Sequence, residues 1–190
     1  LAKEIAYDQT TISLLKIATN VCERSERSAM ELCNPKIVSS KGLHFMLCDE
    51  IKKLKPAPGE NWHMEKICVC SELLRCLAAV SRLDIAFEAI FKEKVLSSVG
   101  KYVIKQQPPM HPMIVASSLK LLTSVLQRLR EKRRASSSDG RSEWLERQKN
   151  ISRKYVEDPA RVLNLIDDRN VLYSRLCDQV VRHRGFGVKN

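Results

Sequence analysis

Glycine and aromatic residues are scarce in this sequence: six glycines, with Phe, Trp and Tyr together making up 5% of 190 residues. So few glycines leave no Gly-rich loop of the kind that cradles a phosphate. So few aromatics leave no platform on which successive bases of a nucleic-acid strand would stack. No segment reaches the roughly 18 uncharged apolar residues that a bilayer crossing needs; the stretch Gln106 to Leu119 is shorter and holds three prolines. Period-two alternation of strand length is missing, and so is a basic start followed by an apolar stretch and a small-residue cleavage site. The chain opens at Leu1 without a methionine, which leads us to expect a piece of a longer protein. These absences point away from a membrane protein, a secreted protein and a β-protein.

Chemistry-bearing clusters are equally thin. Cys68 and Cys70, with His44, Cys48 and His63, are the nearest approach to a zinc site, but no pair of C-x-x-C knuckles is present. Two cysteines two positions apart on a helix point about 200° apart, which suits tetrahedral ligation poorly. The four histidines, His44, His63, His111 and His183, fall in separate elements beside no nucleophile motif. We therefore expect no catalytic residue, metal, cofactor or small-molecule substrate. The seven cysteines are odd in number, and Cys22, Cys33, Cys48, Cys68, Cys76 and Cys177 sit in apolar helical patterns. Thiols placed this way read as small buried hydrophobes in a reducing compartment, cytoplasmic or nuclear.

What is present is a duplication. Ala29-Met30-Glu31-Leu32-Cys33 and then Lys36-Ile37-Val38-Ser39-Ser40-Lys41-Gly42 recur about 58 residues later as Ala86-Phe87-Glu88-Ala89-Ile90 and Lys94-Val95-Leu96-Ser97-Ser98-Val99-Gly100. Each copy is followed by a longer apolar helix with a Leu-Leu pair, Leu73-Leu74 and Leu121-Leu122, and a third pair, Leu14-Leu15, lies upstream. Helical units that recur cannot bury their apolar faces alone and must stack.

Apolar spacing predicts a long helix from Ala2 to about Glu23 and a short one through Cys33, capped by Ser25 or Ser28 and stopped at Asn34-Pro35. A middle helix is expected from Ser39-Ser40 caps to Leu54, and a long one from an Asn61 cap through Trp62 to Val80. In the second copy, Ser81 begins a short helix through Phe91, a middle helix spans about Glu93 to Lys105, and a long one starts at Pro112, where a missing N–H is harmless, and runs to about Arg134. The domain reading is an array over 1–134, a flexible linker over 135–141, and a helical segment over 142–190. In that segment Trp144, Leu145, Ile151 and Tyr155 either cap the array or dock on a partner.

The order short, middle and long helix, with Ala29, Gly42 and Leu73-Leu74 in one unit and Ala86, Gly100 and Leu121-Leu122 in the next, resembles the armadillo repeat (ARM/HEAT-like). Leu14 to Val21, containing Asn20, is similar to the third helix of a preceding unit. The resemblance covers roughly residues 5 to 134. It implies an all-α fold, a right-handed α-solenoid of armadillo-like repeats with a C-terminal helical cap. It also implies a partner-binding face made by the third helices. Aligned on the Leu-Leu pairs, the family's two groove positions fall on Lys16 and Asn20, on Arg75 and Ala79, and on Thr123 and Gln127. The family's groove tryptophans have no counterpart, so an acidic or mixed protein surface is expected rather than the extended peptides bound by nuclear import carriers.

The formal net charge of +11 is unevenly placed: residues 128–154 hold ten Lys or Arg against four Asp or Glu. Arg128, Arg130, Lys132, Arg133 and Arg134 form a basic patch with three readings: a solvated helix end, a nuclear-import or nucleic-acid patch, or a docking site for an acidic protein. Arg133-Arg134-Ala135-Ser136 also fits the target pattern of basophilic kinases, making Ser136 a candidate for phosphorylation. The function expected is a non-catalytic protein-interaction scaffold. The alternative is a nucleic-acid-associated helical-repeat protein that binds phosphates through residues 128–154.

Overall fold

A computed structural model describes residues 6–36, 42–54, 62–100 and 111–138, together with Tyr155 and Arg161; over 135–138 it describes only the helical backbone. All seven elements among the described residues are helices: α1 (Gln9–Arg24), α2 (Glu26–Cys33), α3 (Leu43–Lys53), α4 (Met64–Val80), α5 (Asp84–Lys92), α6 (Val95–Gly100) and α7 (Pro112–Ser138). The Ser39-Ser40 and Asn61 caps, the Lys105 end of the second middle helix and most of the 142–190 segment lie outside the described residues.

Local chemistry accounts for the boundaries. The Asp8 carboxylate accepts from Thr11 N at 2.7 Å and starts α1, so the long opening helix begins later than Ala2. Ser25 closes α1 through its N–H to Val21 O and opens α2 through its Oγ, which accepts from Ser28 N at 3.1 Å. Asn34, ahead of Pro35, is extended and ends α2. Ser81 does not open the next helix: its hydroxyl donates back to Ala78 O at 2.7 Å and it closes α4, leaving Leu83 as the N-cap of α5. Pro112 is the first residue of α7, in agreement with its missing N–H. That helix continues to Ser138, so helical backbone covers the first four residues of the segment expected as a linker.

The three long helices lie side by side in the order α1, α4, α7. They run parallel. Near one end Lys66 Nζ of α4 sits 5.9 Å from the Tyr7 ring just before α1, and near the other Arg82, just after α4, donates to the Cys22 carbonyl in the last turn of α1. Between α4 and α7, the Ser71 and Ser117 hydroxyls meet at 2.7 Å in the interior. These neighbours are separated in sequence by 59 and 60 residues at the first junction and 46 at the second. Leu14, Leu73 and Leu121 stand 59 and 48 residues apart, within two residues of these offsets. Because α4 has a long neighbour on each flank, 12 of its 17 residues are buried, whereas α1 buries only Ile12, Leu15, Thr19 and Cys22. On the other side of α4, α3 packs against it and also against α5 and α6, joining the two copies.

The duplicated Ser-Ser-x-Gly segments differ locally. Gly42 is the N-cap of α3 at φ 76° and ψ 159°, a region essentially reserved for glycine. A Cβ there would stand 2.3 Å from the Cys33 carbonyl oxygen. Its counterpart Gly100 is buried at the end of α6, and in the second copy the positive-φ residue is Lys94, at 55°, ahead of that helix. Next to Gly42, His44 is fully buried and neither ring nitrogen has a hydrogen-bond partner. Burial pushes its pKa below the ordinary 6.5.

Two outcomes follow. Gly42→Ala, placing a methyl against a main-chain carbonyl at positive φ, lowers stability by about 3 kcal/mol in urea unfolding. His44 is held neutral in the fold and is freely protonated in the unfolded chain. Its contribution is therefore complete above pH 6.5 and is lost as pH falls toward its depressed pKa. The urea midpoint measured from pH 7 to pH 5 falls in the native sequence and falls less in His44→Leu.

Candidate functional site

Each of the expected groove residues sits on a long helix. Lys16 and Asn20 are exposed one turn apart on α1, and Thr123 and Gln127 are exposed one turn apart on α7. Arg75 on α4 is half-buried and its guanidinium is held by Glu72 Oε1 at 2.8 Å. Glu72 is itself buried, so Arg75 neutralises an interior carboxylate rather than standing as an open cation. Ala79, at the α4 position aligned with Asn20, is buried.

Around these residues lies a charge pattern that sequence reasoning missed. Lys120 of α7 reaches Glu23 of α1 at 2.6 Å, linking the two outer long helices across α4. The hydrogen bond from Lys120 holds the Glu23 carboxyl below its usual range, with Arg75 and Arg82 adding to the effect. The partners are 97 residues apart, and nothing local in either segment announces the contact.

The basic patch divides in two. Arg128 and Lys132, one turn apart, both turn to Asp84 in the first turn of α5, at 3.1 and 2.7 Å. Lys132 is only 5% exposed and its ammonium lies 5.4 Å from the centre of the Phe87 ring, so it belongs to the interior. Burial alone raises the Asp84 carboxyl, but Lys132 and Arg128 outweigh it and hold the group below its usual range. Arg130, Arg133 and Arg134 remain exposed. Ser136 falls within the helical backbone of α7, its side chain outside the described residues.

Spacing joins what the sequence kept apart. Lys120, Thr123, Gln127, Arg130 and Arg134 recur at intervals of three and four and are all exposed, so they form one continuous polar stripe along α7. Thr123 and Gln127 from the expected groove and Arg130 and Arg134 from the expected patch thus share a face. Gln127 Nε2 donates to Glu131 Oε1 at 3.2 Å, and Arg128 bonds the same carboxylate at 3.2 Å.

Burial disfavours ionisation of several described thiols. Burial raises Cys33 to about 11 and Cys48 and Cys70 to about 12. Cys22 is lowered by a hydrogen bond from Cys76, which faces it from α4 and whose own pKa is raised. Among the described residues no group of three or more His, Cys, Asp or Glu is placed to hold a metal ion. No described helix is long and apolar enough to cross a membrane. Tyr155, from the segment read as cap or docking arm, is buried with its ring 4.5 Å from that of Phe91 at 22°.

Asp84→Asn removes the carboxylate that pairs with both the buried Lys132 ammonium and Arg128. Because Asp84 is half-exposed and screened by solvent, the loss is expected to be about 1–2 kcal/mol rather than the full value of a buried pair. Asp84→Asn/Lys132→Met recovers most of it, as read from thermal unfolding. The carboxyl is lowered in the fold, so its contribution is present above the ordinary carboxylate pKa and is lost as pH falls through the folded value.

Compared with known proteins, the chain matches no family model, no curated protein and no solved structure.

Proposed function

We propose that this chain is a protein-interaction scaffold without catalytic activity, a right-handed α-solenoid of armadillo type working as part of a larger assembly. The observation that carries the reading is the polar stripe of α7 from Lys120 to Arg134, whose Lys120 reaches Glu23 of α1; in the proposed face it acts with Arg75 of α4 and Lys16 and Asn20 of α1. A face made by parallel long helices, studded with charged and amide side chains and free of large apolar groups on α7, suits an acidic or mixed protein surface. The packing offsets, within two residues of the spacing of the Leu-Leu pairs, support the stacked-repeat part of the proposal. The buried thiols suit a cytoplasmic or nuclear setting.

The exposed Arg130, Arg133 and Arg134 favour a second reading, phosphate binding on nucleic acid. Against it stands the diversion of Arg128 and Lys132 to Asp84, which takes two of the five cations out of reach.

The test uses Lys16→Glu/Arg130→Glu/Arg134→Glu, all at exposed positions that the fold does not use. Affinity capture with the native chain recovers a defined set of proteins that the triple variant loses. Identical recovery by both would remove the proposed face. Binding of a labelled DNA duplex that weakens with salt at a log–log slope near −0.9 per phosphate neutralised would instead favour the second reading.

A further inference from the structure

The strongest unexplained feature is the outward side of α1. Aligned on the Leu-Leu pairs, Leu14, Ile17 and Val21 of α1 correspond to Leu73, Cys76 and Val80 of α4. The α4 residues are 1%, 0% and 0% exposed, and Cys76 marks the side they occupy by its hydrogen bond to Cys22 of α1. Their α1 counterparts are 61%, 60% and 37% exposed. At spacings of three and four they form one apolar ridge. The ridge that α4 buries against its neighbour is therefore present on α1 and open, a continuation of the α1–α4 interface by one more step.

We infer that this ridge is a docking site for an amphipathic helix lying parallel to α1. The incoming helix would present the kind of face that α1 turns to α4, with residues like Ile12, Leu15, Thr19 and Cys22. The inference rests on the stacked-repeat reading above. Ridges spaced at three and four residues interlock with the grooves of another helix and offer an extended strand no ladder to join. Among the described residues beside the ridge, Thr10 and Ser13 are uncharged and compatible with an apolar helix face. A second copy of the chain fits less well: its own complementary face is covered by its α4, and it could offer only another ridge.

The probe is a fluorescein-labelled peptide of residues 6–25 of this chain, held helical by a hydrocarbon staple across positions 13 and 17, on the side away from Ile12 and Leu15. Fluorescence anisotropy is read with the native chain and with Leu14→Glu/Ile17→Glu, which alters only exposed side chains. The expected result is saturable binding that weakens at least tenfold in the variant and in a peptide carrying Leu15→Glu. No saturable binding to the native chain, or equal binding to the variant, overturns the inference. So does sedimentation of the native chain as a dimer that the variant dissolves, which assigns the ridge to a second copy. The variant retains Lys16, Arg130 and Arg134. Failure here with capture by the polar face intact removes only the ridge, whereas loss of capture in the charge-reversed triple variant concerns the polar face alone.

Discussion

The packing of α4 between two parallel neighbours is the constraint on which the other elements depend. Its buried set runs around most of the helix, so no single partner could cover it; α1 takes one flank and α7 the other. Each fully buried Leu, Ile or Val contributes about 1.5–3 kcal/mol relative to exposure, and the set on α4 is shared among α1, α7 and α3. Removing either long flank would return part of that contribution to water. Small side chains make the close approach feasible: Thr19, Cys22 and Cys76 at one junction, Ser71, Ser117 and Ser118 at the other, all buried. Of the hydroxyls at these junctions, Thr19 donates to Leu15 O at 2.8 Å and Ser71 meets Ser117 at 2.7 Å, while the Ser118 hydroxyl is buried without a partner.

Charge follows the same architecture. The interior carboxylate Glu72 is met on its own helix, and the interior ammonium Lys132 is met by Asp84 from another. The Lys52 and Glu93 pair connects α3 to the turn after α5, and Lys120 with Glu23 connects α7 to α1. Three of these four contacts join distant parts of the chain. A highly cationic sequence thus spends part of its positive charge on internal seams, while Arg130, Arg133 and Arg134 stay exposed near the end of α7. That division gives the outer surface a direction which net charge alone does not convey.

Much of the helical layout was legible in the sequence because it is written in local chemistry. Ser25, Asn34-Pro35 and Pro112 act within one turn of themselves, and apolar spacing over 15 or more residues marks the long helices. The three Leu-Leu pairs were legible too, and each lies on one of the long helices that pack together. Positions decided by distant neighbours were not. Ser81 resembles a helix opener, yet a carbonyl three residues back claims its hydroxyl. The N-cap of α3 is a glycine in an unusual conformation, fixed by the nearness of the Cys33 carbonyl rather than by a capping side chain. Ala135 to Ser138 have linker composition, but they follow a helix already propagating through Arg, Glu, Lys and Leu, and extending a helix is easier than starting one. The basic patch is a run of five cations in sequence; only the position of Asp84 on another helix separates the two that are structural from the three that face outward.

The Ser71 and Ser117 contact carries a mechanical meaning. Two hydroxyls joined at 2.7 Å inside an apolar seam lose each other if α7 slides along α4 by even one helical turn, about 5.4 Å, and both would then be stranded away from water. The junction therefore acts as a key that sets how far α7 lies along α4, and every side chain on their shared edge inherits its partner from that one setting.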